Sequence, residues 1–303
     1  MNNILVSVII PTYRRPSLLG RAIDSVLNQT YKNIEIIVVS DNNIADEYDK
    51  ETEKVIKPYV AKGVKYLSAI GNQGGALARN RGLKVAIGDY VNFLDDDDLF
   101  YPDKIEKQVN LILQKGVKFA VVGCKAAIKN SVGKIIKYET PVIYDENDIF
   151  FSELKSNICT TSLNLIRTDV IRRSGGFVKI ESSQEHLMLL KVFAVEASFD
   201  YVDEVLVDIN WHEGARISNN SKKPYGALKL SQIIESYYPI LDNKKRNIIQ
   251  LARKKADIYA YLDLREYQKA LKLWIIRVKE SFWDIDNLKI AYMFVRSLAY
   301  HRK

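Results

Sequence analysis

The most constraining feature of this chain is the alternation of short apolar runs and amphipathic segments in its first third. Val6–Ile10, Ile34–Val39 and Tyr90–Leu94 are β-branched or aromatic runs of strand length. Between them, Ser17–Leu27 and Ala76–Ala86 repeat apolar side chains at the spacing of one helix face. Strands separated by helices of this length form βαβ units, so we predict an α/β fold with a mostly parallel sheet.

Polar side chains follow each of these three strands. Thr12 and Tyr13 come after the first, Asp41 after the second, and Asp95–Asp98 directly after the third. In mostly parallel sheets, ligands bind beyond the carboxyl ends of the strands. We therefore expect these side chains to converge on one site.

The four consecutive aspartates, Asp95–Asp98, carry the strongest chemical signal. Mutual repulsion makes adjacent carboxylates costly unless a cation or solvent relieves it. Mg²⁺ takes oxygen ligands and usually binds through one or two carboxylates together with substrate phosphates. A short acidic cluster at a strand end therefore favours a complex of metal and nucleoside diphosphate over a structural calcium site. An acidic, solvated turn is the alternative interpretation.

The last quarter of the chain is basic and has the pattern of amphipathic helices. Residues 221–303 hold 18 Lys and Arg against 8 Asp and Glu, whereas the preceding residues hold 27 and 29. Two apolar stripes at helical spacing, which are more often core than functional, run through this region. They consist of Tyr267, Ala270, Leu271, Trp274, Ile275, Val278 and Phe282, and of Leu288, Ala291, Tyr292, Val295, Leu298 and Ala299. A basic surface attracts nucleic acid or an anionic membrane face, and a solvated helix face is the alternative.

Several classes of protein are excluded. Two scattered cysteines and three scattered histidines form neither a disulfide framework nor a zinc site. The first strand leads into Pro-Thr-Tyr-Arg-Arg-Pro rather than a Gly-x-Gly-x-x-Gly turn, and no P-loop motif occurs, which excludes a dehydrogenase and a P-loop NTPase. The tail has interspersed charges and no recognised nucleic-acid motif, so we expect no nucleic acid partner. Without a signal peptide or membrane-spanning run, we expect a soluble, cytoplasmic protein.

The chain resembles family 2 glycosyltransferases most densely over residues 4–107. The segments that carry the resemblance are VSVIIPTYRRPSLLGRAIDSVLNQTYKNIEIIVVSD and GNQGGALARNRGLKVAIGDYVNFLDDDDLFYPDK, followed by the fragments GGF and QEH. The resemblance implies an inverting enzyme of the GT-A fold, and it continues in fragments to about residue 218. We therefore predict a GT-A domain at 1–218, divided into a nucleotide-binding half (1–107) and an acceptor-side half (108–218). The change to amphipathic helices near residue 220 predicts a basic helical extension at 219–303.

The resemblance also implies residues that bind the nucleotide. Pro11, Thr12 and Tyr13 match the loop that cradles the uridine, and Asp41 matches the carboxylate that accepts a hydrogen bond from the uracil ring. The sequence Ser-Asp-Asn-Asn around Asp41 departs from the usual Asp-Asp-Gly-Ser of the family, which affects the expected shape of the loop. Arg79 falls in a segment near the nucleotide, where an ion pair with an aspartate, a phosphate contact or a purely structural role are the alternatives.

The metal site implied by the family is an Asp-x-Asp-Asp motif followed by three residues and a proline. Counted back from Pro102, this motif makes Asp95 and Asp97 the Asp-x-Asp pair, with Asp97 as the direct ligand of Mn²⁺ or Mg²⁺ and Asp96 near the ribose. A slip of one residue would exchange these roles, because all four positions are aspartate. His212 lies in a segment similar to the closing loop of the family, where a histidine reaches the diphosphate or the metal; a structural histidine is the alternative.

The catalytic base implied by the resemblance is Glu185. In an inverting transfer, a carboxylate must take the proton of the acceptor hydroxyl as it attacks the sugar. Glu185 matches the acidic position of the family, although aspartate is more usual there, and GGF lies upstream at the expected offset. The alternative is a helix N-terminal glutamate stabilised by the macrodipole. Neighbouring His186 is interpreted as an acceptor-side or packing residue.

The function implied is transfer of a hexosyl or N-acetylhexosaminyl group from a nucleotide-diphosphate sugar, a UDP-sugar in particular, to a hydroxyl of a glycan or lipid-linked acceptor in the synthesis of polysaccharide such as capsule. A nucleotidyltransferase-like enzyme and a non-enzymatic module that binds anionic surfaces through the basic tail are the alternatives. Many relatives act at the cytoplasmic membrane face, and Trp274, Ile275, Phe282 and Trp283 among basic residues would suit shallow membrane contact. The same stripe would also suit packing on the catalytic domain or on a second subunit.

Overall fold

The computed structural model describes residues 4–116, 119–211 and 221–300. Within them, two compact units are distinguished: residues 4–153, 157–179 and 185–211 form the first, and residues 154–156, 180–184 and 221–300 form the second. The strands are β1 (Val6–Thr12), β2 (Ile34–Ser40), β3 (Lys65–Leu67), β4 (Tyr90–Phe93), β5 (Leu99–Phe100), β6 (Val121–Lys129), β7 (Ile135–Glu139), β8 (Leu165–Arg167) and β9 (Phe199–Asn210).

Helices are interspersed among the strands as far as β9, and the described residues after β9 form helices without further strands. They are α1 (Pro16–Leu27), α2 (Glu47–Val60), α3 (Gly75–Val85), α4 (Lys104–Lys115), α5 (Ile149–Lys155), α6 (Thr168–Arg173), α7 (Gln184–Val195), α8 (Lys223–Glu235), α9 (Asn243–Asp263), α10 (Tyr267–Glu280) and α11 (Asp286–Tyr300). None of the helices in the described ranges is long and apolar enough to cross a membrane.

The strands of the first unit form one sheet in the order β3-β2-β1-β4-β8-β6-β9-β5, with β7 paired to β6. The predicted βαβ half is confirmed, since β1 runs parallel to both β2 and β4, and β2 runs parallel to β3. β8 then pairs antiparallel with β4 and β6, whereas β6 and β9 are parallel. The sheet thus contains both parallel and antiparallel pairs, and the predicted strands lie in its parallel part.

The core of the first unit explains why its first strand is a continuous apolar run. Val6, Val8, Ile9 and Ile10 are fully buried, as expected for a central strand covered on both faces. α1 begins at Pro16, where the fixed φ of proline suits the first turn of a helix. Its apolar side lies in the same core as the sheet.

The second unit has a smaller core, built where α9, α10 and α11 meet. Ile258, Leu262, Ala270 and Ile290 are buried there, and Leu273, Trp274, Met293 and Phe294 are among the side chains packed against them. The predicted stripe on α10 is therefore only partly core. Leu271 and Ile275 are 45% and 46% exposed, because the side of α10 that packs in the core carries Ala270, Leu273 and Trp274 instead. The helix ends at Glu280, before Phe282.

Candidate active site

The carboxyl ends of β1, β2 and β4 meet at one edge of the sheet. The parallel pairing of β1 with β2 places Thr12 level with Ser40, and the pairing of β1 with β4 places Ile9 level with Phe93. The loops that follow these strands therefore leave the sheet side by side. The residues of these loops build the candidate site.

The first two aspartates of the loop at 95–98 face different partners. The Asp95 side chain is 40% exposed and forms an ion pair with Arg79 on α3. Asp96 is buried and accepts a hydrogen bond from Thr12 Oγ1 at 2.8 Å. Thr12, predicted to cradle a nucleoside, therefore also fixes the aspartate loop.

The last two aspartates, Asp97 and Asp98, accept hydrogen bonds from residues that come much later in the chain. Asn210, at the end of β9, donates through its side-chain amide to the backbone carbonyl of Asp97 and through its backbone N–H to Asp98 Oδ1 at 3.1 Å. Ser162 Oγ donates to Asp98 Oδ2 at 3.0 Å. Both oxygens of the buried Asp98 carboxyl are thus engaged.

Three of the four aspartates fit a hard divalent cation. Asp95, Asp97 and Asp98 each offer one carboxylate oxygen, and these oxygens lie within 4.8 Å of one another. Mg²⁺ and cations like it prefer oxygen ligands and keep positions for water or phosphate. This group includes the predicted pair and adds Asp98, whereas Asp96 faces Thr12 and Arg15.

Burial and like charge make this arrangement costly without a cation. Burial raises the pKa of Asp96 to about 7, with Arg15 acting against the shift and Asp97 adding to it. Burial also raises the pKa of Asp98 well above its ordinary value, and the charges of Asp95 and Asp97 raise it further. A bound cation would favour the charged carboxylates and so relieve this cost.

Two arginines already neutralise part of the cluster. Arg15 Nη1 lies 2.7 Å from Asp97 Oδ2 and 3.2 Å from Asp96 Oδ1. Arg79, besides its ion pair, has its guanidinium carbon 5.4 Å from the centre of the Phe177 ring. For Arg79, the structure has the first of the predicted alternatives, an ion pair with an aspartate.

Asp41 holds the loop that leads into α3. The side chain is buried, and its two oxygens accept hydrogen bonds from the backbone N–H groups of Gln73 and Gly74, both at 2.9 Å. Gly74 has a φ of 95°, which L side chains rarely adopt. Each carboxylate oxygen has a further lone pair, so Asp41 retains the capacity to accept a hydrogen bond from a base.

The first loop is supported by one of the residues that departs from the usual family pattern. Asn42 accepts a hydrogen bond from the Arg14 backbone N–H at 2.8 Å and donates to Thr52 Oγ1 at 3.0 Å. The Arg14 guanidinium lies 5.2 Å from the centre of the Tyr13 ring. Pro11 remains within β1, level with Val39 of β2. The asparagine thus connects the first and second loops.

The glycine-rich turn at 175–177 is attached to α3. Asn80 donates to the Phe177 carbonyl at 2.8 Å and accepts from the Phe177 N–H at 2.9 Å. A Cβ on Gly176, which has a φ of 63°, would lie 2.5 Å from Asn80 Oδ1. The turn therefore strongly favours glycine at 176, and the Phe177 ring that follows it packs against the Arg79 guanidinium.

Glu185 lies in the first turn of α7. Within residues 4–116, 119–211 and 221–300, no hydrogen bond or ion pair joins it to the aspartate loop. Its carboxyl is close enough to Glu139 on β7 to contribute to a raised pKa of Glu139, for which burial is the larger cause. Next to it, His186 is buried, with Nε2 2.6 Å from the Glu153 carbonyl oxygen. This contact favours the packing role among the predictions for His186.

His212, the remaining predicted residue, lies outside the described residues. Three side chains that hold the aspartates were missed by the sequence analysis: Arg15, Ser162 and Asn210. Arg15 lies next to the predicted nucleoside loop and was identifiable from that position. Ser162 and Asn210 had no such signal, because they are 64 and 112 residues away from Asp98 in the sequence.

The sequence of this chain is similar to those of one known protein family. The family model described as "Glycosyl transferase family 2" matches residues 7–175. An uncharacterized glycosyltransferase from Haemophilus influenzae is 45% identical over 116 residues, or 38% of this chain and 44% of that protein. WfgD from Escherichia coli, named UDP-Glc:alpha-D-GlcNAc-diphosphoundecaprenol beta-1,3-glucosyltransferase, is 35% identical over 137 residues, or 45% of this chain and 52% of that enzyme. The chain spans only 36–44% of the length of the first three curated relatives it matches.

Comparison with solved structures gives the same fold. S. aureus TarS 1–349, solved with UDP-GlcNAc, superposes with a TM-score of 0.68 at 18% identity, covering 99% of this chain and 92% of that one. The mannosyltransferase PcManGT from Pyrobaculum calidifontis, solved with GDP-Man and Mn²⁺, has a TM-score of 0.58 at 17% identity, covering 97% and 87%. The likeness confirms the predicted fold class.

Proposed function

The chain belongs to glycosyl transferase family 2, and from this we propose that it transfers a sugar from a UDP-sugar to a hydroxyl group of a glycan or lipid-linked acceptor in polysaccharide synthesis. The observation that carries the proposal is the group of carboxylate oxygens of Asp95, Asp97 and Asp98, within 4.8 Å of one another. They lie where β1, β2 and β4 end, beside the loops that hold Thr12 and Asp41.

Different residues at this edge of the sheet bind different parts of the donor. Asp95, Asp97 and Asp98 would hold Mn²⁺ or Mg²⁺, which would supply positive charge to stabilise the leaving diphosphate. Asp41, kept in place by two backbone amides, accepts a hydrogen bond from the base. Arg79 holds Asp95 in position and is itself supported by the Phe177 ring.

The choice of uridine is supported by two relatives. TarS was solved with UDP-GlcNAc, and the name of WfgD specifies UDP-Glc as its donor. PcManGT, solved with GDP-Man, has the lower TM-score of the two structures compared. We therefore propose a UDP-sugar, with glucose-like and N-acetylglucosamine-like donors both to be tested.

Glu185 is proposed as the general base of an inverting transfer. Its position in the first turn of α7 leaves the carboxylate partly exposed, so that an acceptor hydroxyl has access to it. His186, buried against Glu153, anchors the start of the same helix and so limits the movement of Glu185. A base must lie within hydrogen-bond reach of the hydroxyl that it deprotonates.

Exposed apolar side chains in the connection between α10 and α11 and at the start of α11 support contact with an anionic membrane face, where a lipid-linked acceptor would be found. Phe282, Trp283 and Leu288 are 67%, 92% and 72% exposed. Residues 221–303, in which they lie, carry ten more Lys and Arg than Asp and Glu, from counts of 18 and 8. Exposed aromatic side chains on a unit of net positive charge suit binding at an anionic membrane interface.

The test of the donor site is a thermal-shift panel of UDP, GDP, CDP and TDP, each with and without Mn²⁺ or Mg²⁺. We expect UDP to stabilise the protein only when metal is present, by about 2.7 kcal/mol at a hundredfold excess over Kd. Asp97→Asn should lose this effect, whereas Asp203→Asn, an equal change of charge at an exposed position, should keep it. No shift of the wild type by any nucleotide with any metal would overturn the proposal.

A further inference from the structure

Arg15 forms contacts with two aspartates that a bound complex of metal and diphosphate would change. Its Nη1 lies 2.7 Å from Asp97 Oδ2 and 3.2 Å from Asp96 Oδ1, so one guanidinium bridges two carboxylates. Its side chain is 33% exposed, whereas those of Asp96 and Asp97 are 6% and 8% exposed. Arg15 therefore provides much of the positive charge that the buried aspartates require, and it approaches them from the solvent side.

A divalent cation at the group Asp95, Asp97 and Asp98 would share the Asp97 carboxylate with Arg15. Two cations on one carboxylate repel each other, most strongly where little water is present to screen them. Binding of the metal alone would therefore weaken the contact between Arg15 and Asp97. The contact between Arg15 and Asp97 therefore acts against binding of the metal alone.

A diphosphate supplies another anion for Arg15 to bind. Guanidinium groups bind phosphate oxygens through two parallel hydrogen bonds, and these charge-assisted bonds are among the strongest in proteins. Arg15 lies between the end of β1 at Thr12 and the start of α1 at Pro16, on the same edge of the sheet as the proposed donor site. A guanidinium released from Asp97 would thus remain beside the incoming diphosphate.

We propose that Arg15 is a positioning residue that makes metal and diphosphate bind together: it holds Asp96 and Asp97 in the free enzyme and moves to the donor diphosphate when the cation binds. This inference rests on the donor site proposed above and adds an order to its assembly. By linkage, each of the two ligands strengthens the binding of the other. The cation displaces Arg15 from Asp97, and the diphosphate binds the displaced guanidinium.

The test measures binding of Mn²⁺ and of UDP separately, and needs no turnover. Free Mn²⁺ is followed by electron paramagnetic resonance, and UDP binding by calorimetry at saturating Mn²⁺. In Arg15→Met we expect Mn²⁺ alone to bind about tenfold more tightly and UDP with Mn²⁺ to bind about tenfold more weakly, the size of one charge-assisted hydrogen bond. Uridine, which lacks phosphate, should bind equally to both proteins.

Arg21→Met is the matched control, since Arg21 lies at an exposed position on α1. It should leave both affinities unchanged. Arg15→Gln, which keeps hydrogen-bond donors without the charge, should behave as Arg15→Met and covers the case in which the methionine variant does not fold. A parallel loss of Mn²⁺ and UDP affinity in the Arg15 variants, or no change in either, would overturn the role of Arg15 alone. Failure of the wild type to bind Mn²⁺ and UDP would overturn the donor site as well.

Discussion

At the scale of single residues, the four aspartates of the loop at 95–98 have different sets of partners. Asp95 pairs with Arg79, Asp96 accepts from Thr12, and Asp98 accepts from Ser162. The sequence alone left the roles of these positions open to a slip of one residue, because four identical side chains contain no internal reference. The partners distinguish them, and they add Asp98 to the residues able to hold a cation.

Glu185→Gln is expected to lower kcat by a factor of about 10² to 10⁴, the usual contribution of a general base. UDP affinity should stay unchanged, since no hydrogen bond or ion pair in the described part of the chain links Glu185 to the aspartates. Steady-state kinetics with a UDP-sugar donor and calorimetry with UDP would measure the two quantities. Glu181→Gln, the same change at an exposed position four residues earlier, should keep full activity. A Glu185→Gln enzyme of normal kcat would exclude this residue as the base.

Lys104 offers a prediction of pH dependence that does not involve the metal site. It is fully buried, its Nζ donates to Gln108 Oε1 at 2.7 Å, and burial lowers its pKa to about 8 from an unfolded value near 10.5. Between these values the unfolded chain keeps a proton that the folded chain has lost. Stability contributed by this group therefore rises from pH 8 to pH 10.5, by about 3 kcal/mol.

Urea unfolding of wild type and of Lys104→Met at pH 7.5, 9 and 10.5 would reveal this change. The difference in the free energy of unfolding should move in favour of the wild type as the pH rises. Lys84→Met, at an exposed position on α3, should track the wild type at every pH. Parallel profiles for wild type and Lys104→Met would show that Lys104 is not neutral in the folded protein at high pH.

At the scale of elements, the positions of the strands and helices in the first third of the chain agree with the sequence pattern to within a few residues. The predicted strand at Val6–Ile10 is β1, and the predicted helix at Ser17–Leu27 is α1. The agreement has a local cause, since apolar periodicity, Pro16 and the polar residues after each strand act over a few residues. The α10 stripe was less informative, because which side of a helix is buried depends on the helices packed against it.

The turn at 175–177 provides a test of how one element positions another. Gly176→Ala is expected to destabilise the protein by about 3 kcal/mol, because the positive φ is unfavourable and the new Cβ displaces Asn80 from its hydrogen bonds with Phe177. UDP affinity should also fall, as Arg79 loses the Phe177 ring as its support.

Gly133→Ala is the matched control for this substitution. Gly133 also has a positive φ, of 78°, but has open space where a Cβ would lie. It should cost only about 1 kcal/mol, the backbone part of the effect, and leave UDP binding unchanged. Equal losses in the two variants, measured by urea unfolding, would show that the close approach of Asn80 to Gly176 has no energetic weight.

At the scale of the whole molecule, charge and exposed apolar surface are unevenly distributed along the chain. The first 220 residues are close to neutral, whereas residues 221–303 are basic. Exposed apolar side chains also occur in that basic part, with Trp283 at 92% and Leu288 at 72%. A partner surface that is both anionic and apolar at its boundary, such as a bilayer face, suits this combination.

Sedimentation with vesicles of phosphatidylglycerol and phosphatidylcholine would test this surface. The wild type should bind the anionic vesicles, more weakly at high salt, and should not bind pure phosphatidylcholine. Phe282→Ser with Trp283→Ser should lose binding, whereas Ile240→Ser, at a 72% exposed apolar position in the same unit, should retain it. Indifference to lipid together with concentration-dependent dimers of the wild type would assign the surface to a second subunit.

The sequence by itself determined the α/β class, the strands whose ends build the candidate site, and the family, because these depend on periodicity and on motifs that are local in the chain. Only the tertiary structure decided which partner each aspartate meets, since Ser162 and Asn210 reach Asp98 across 64 and 112 residues. It also decided that Arg15 bridges Asp96 and Asp97 and that Leu271 and Ile275 remain exposed. Such contacts join distant segments, and their energy depends on packing and burial that no local pattern records.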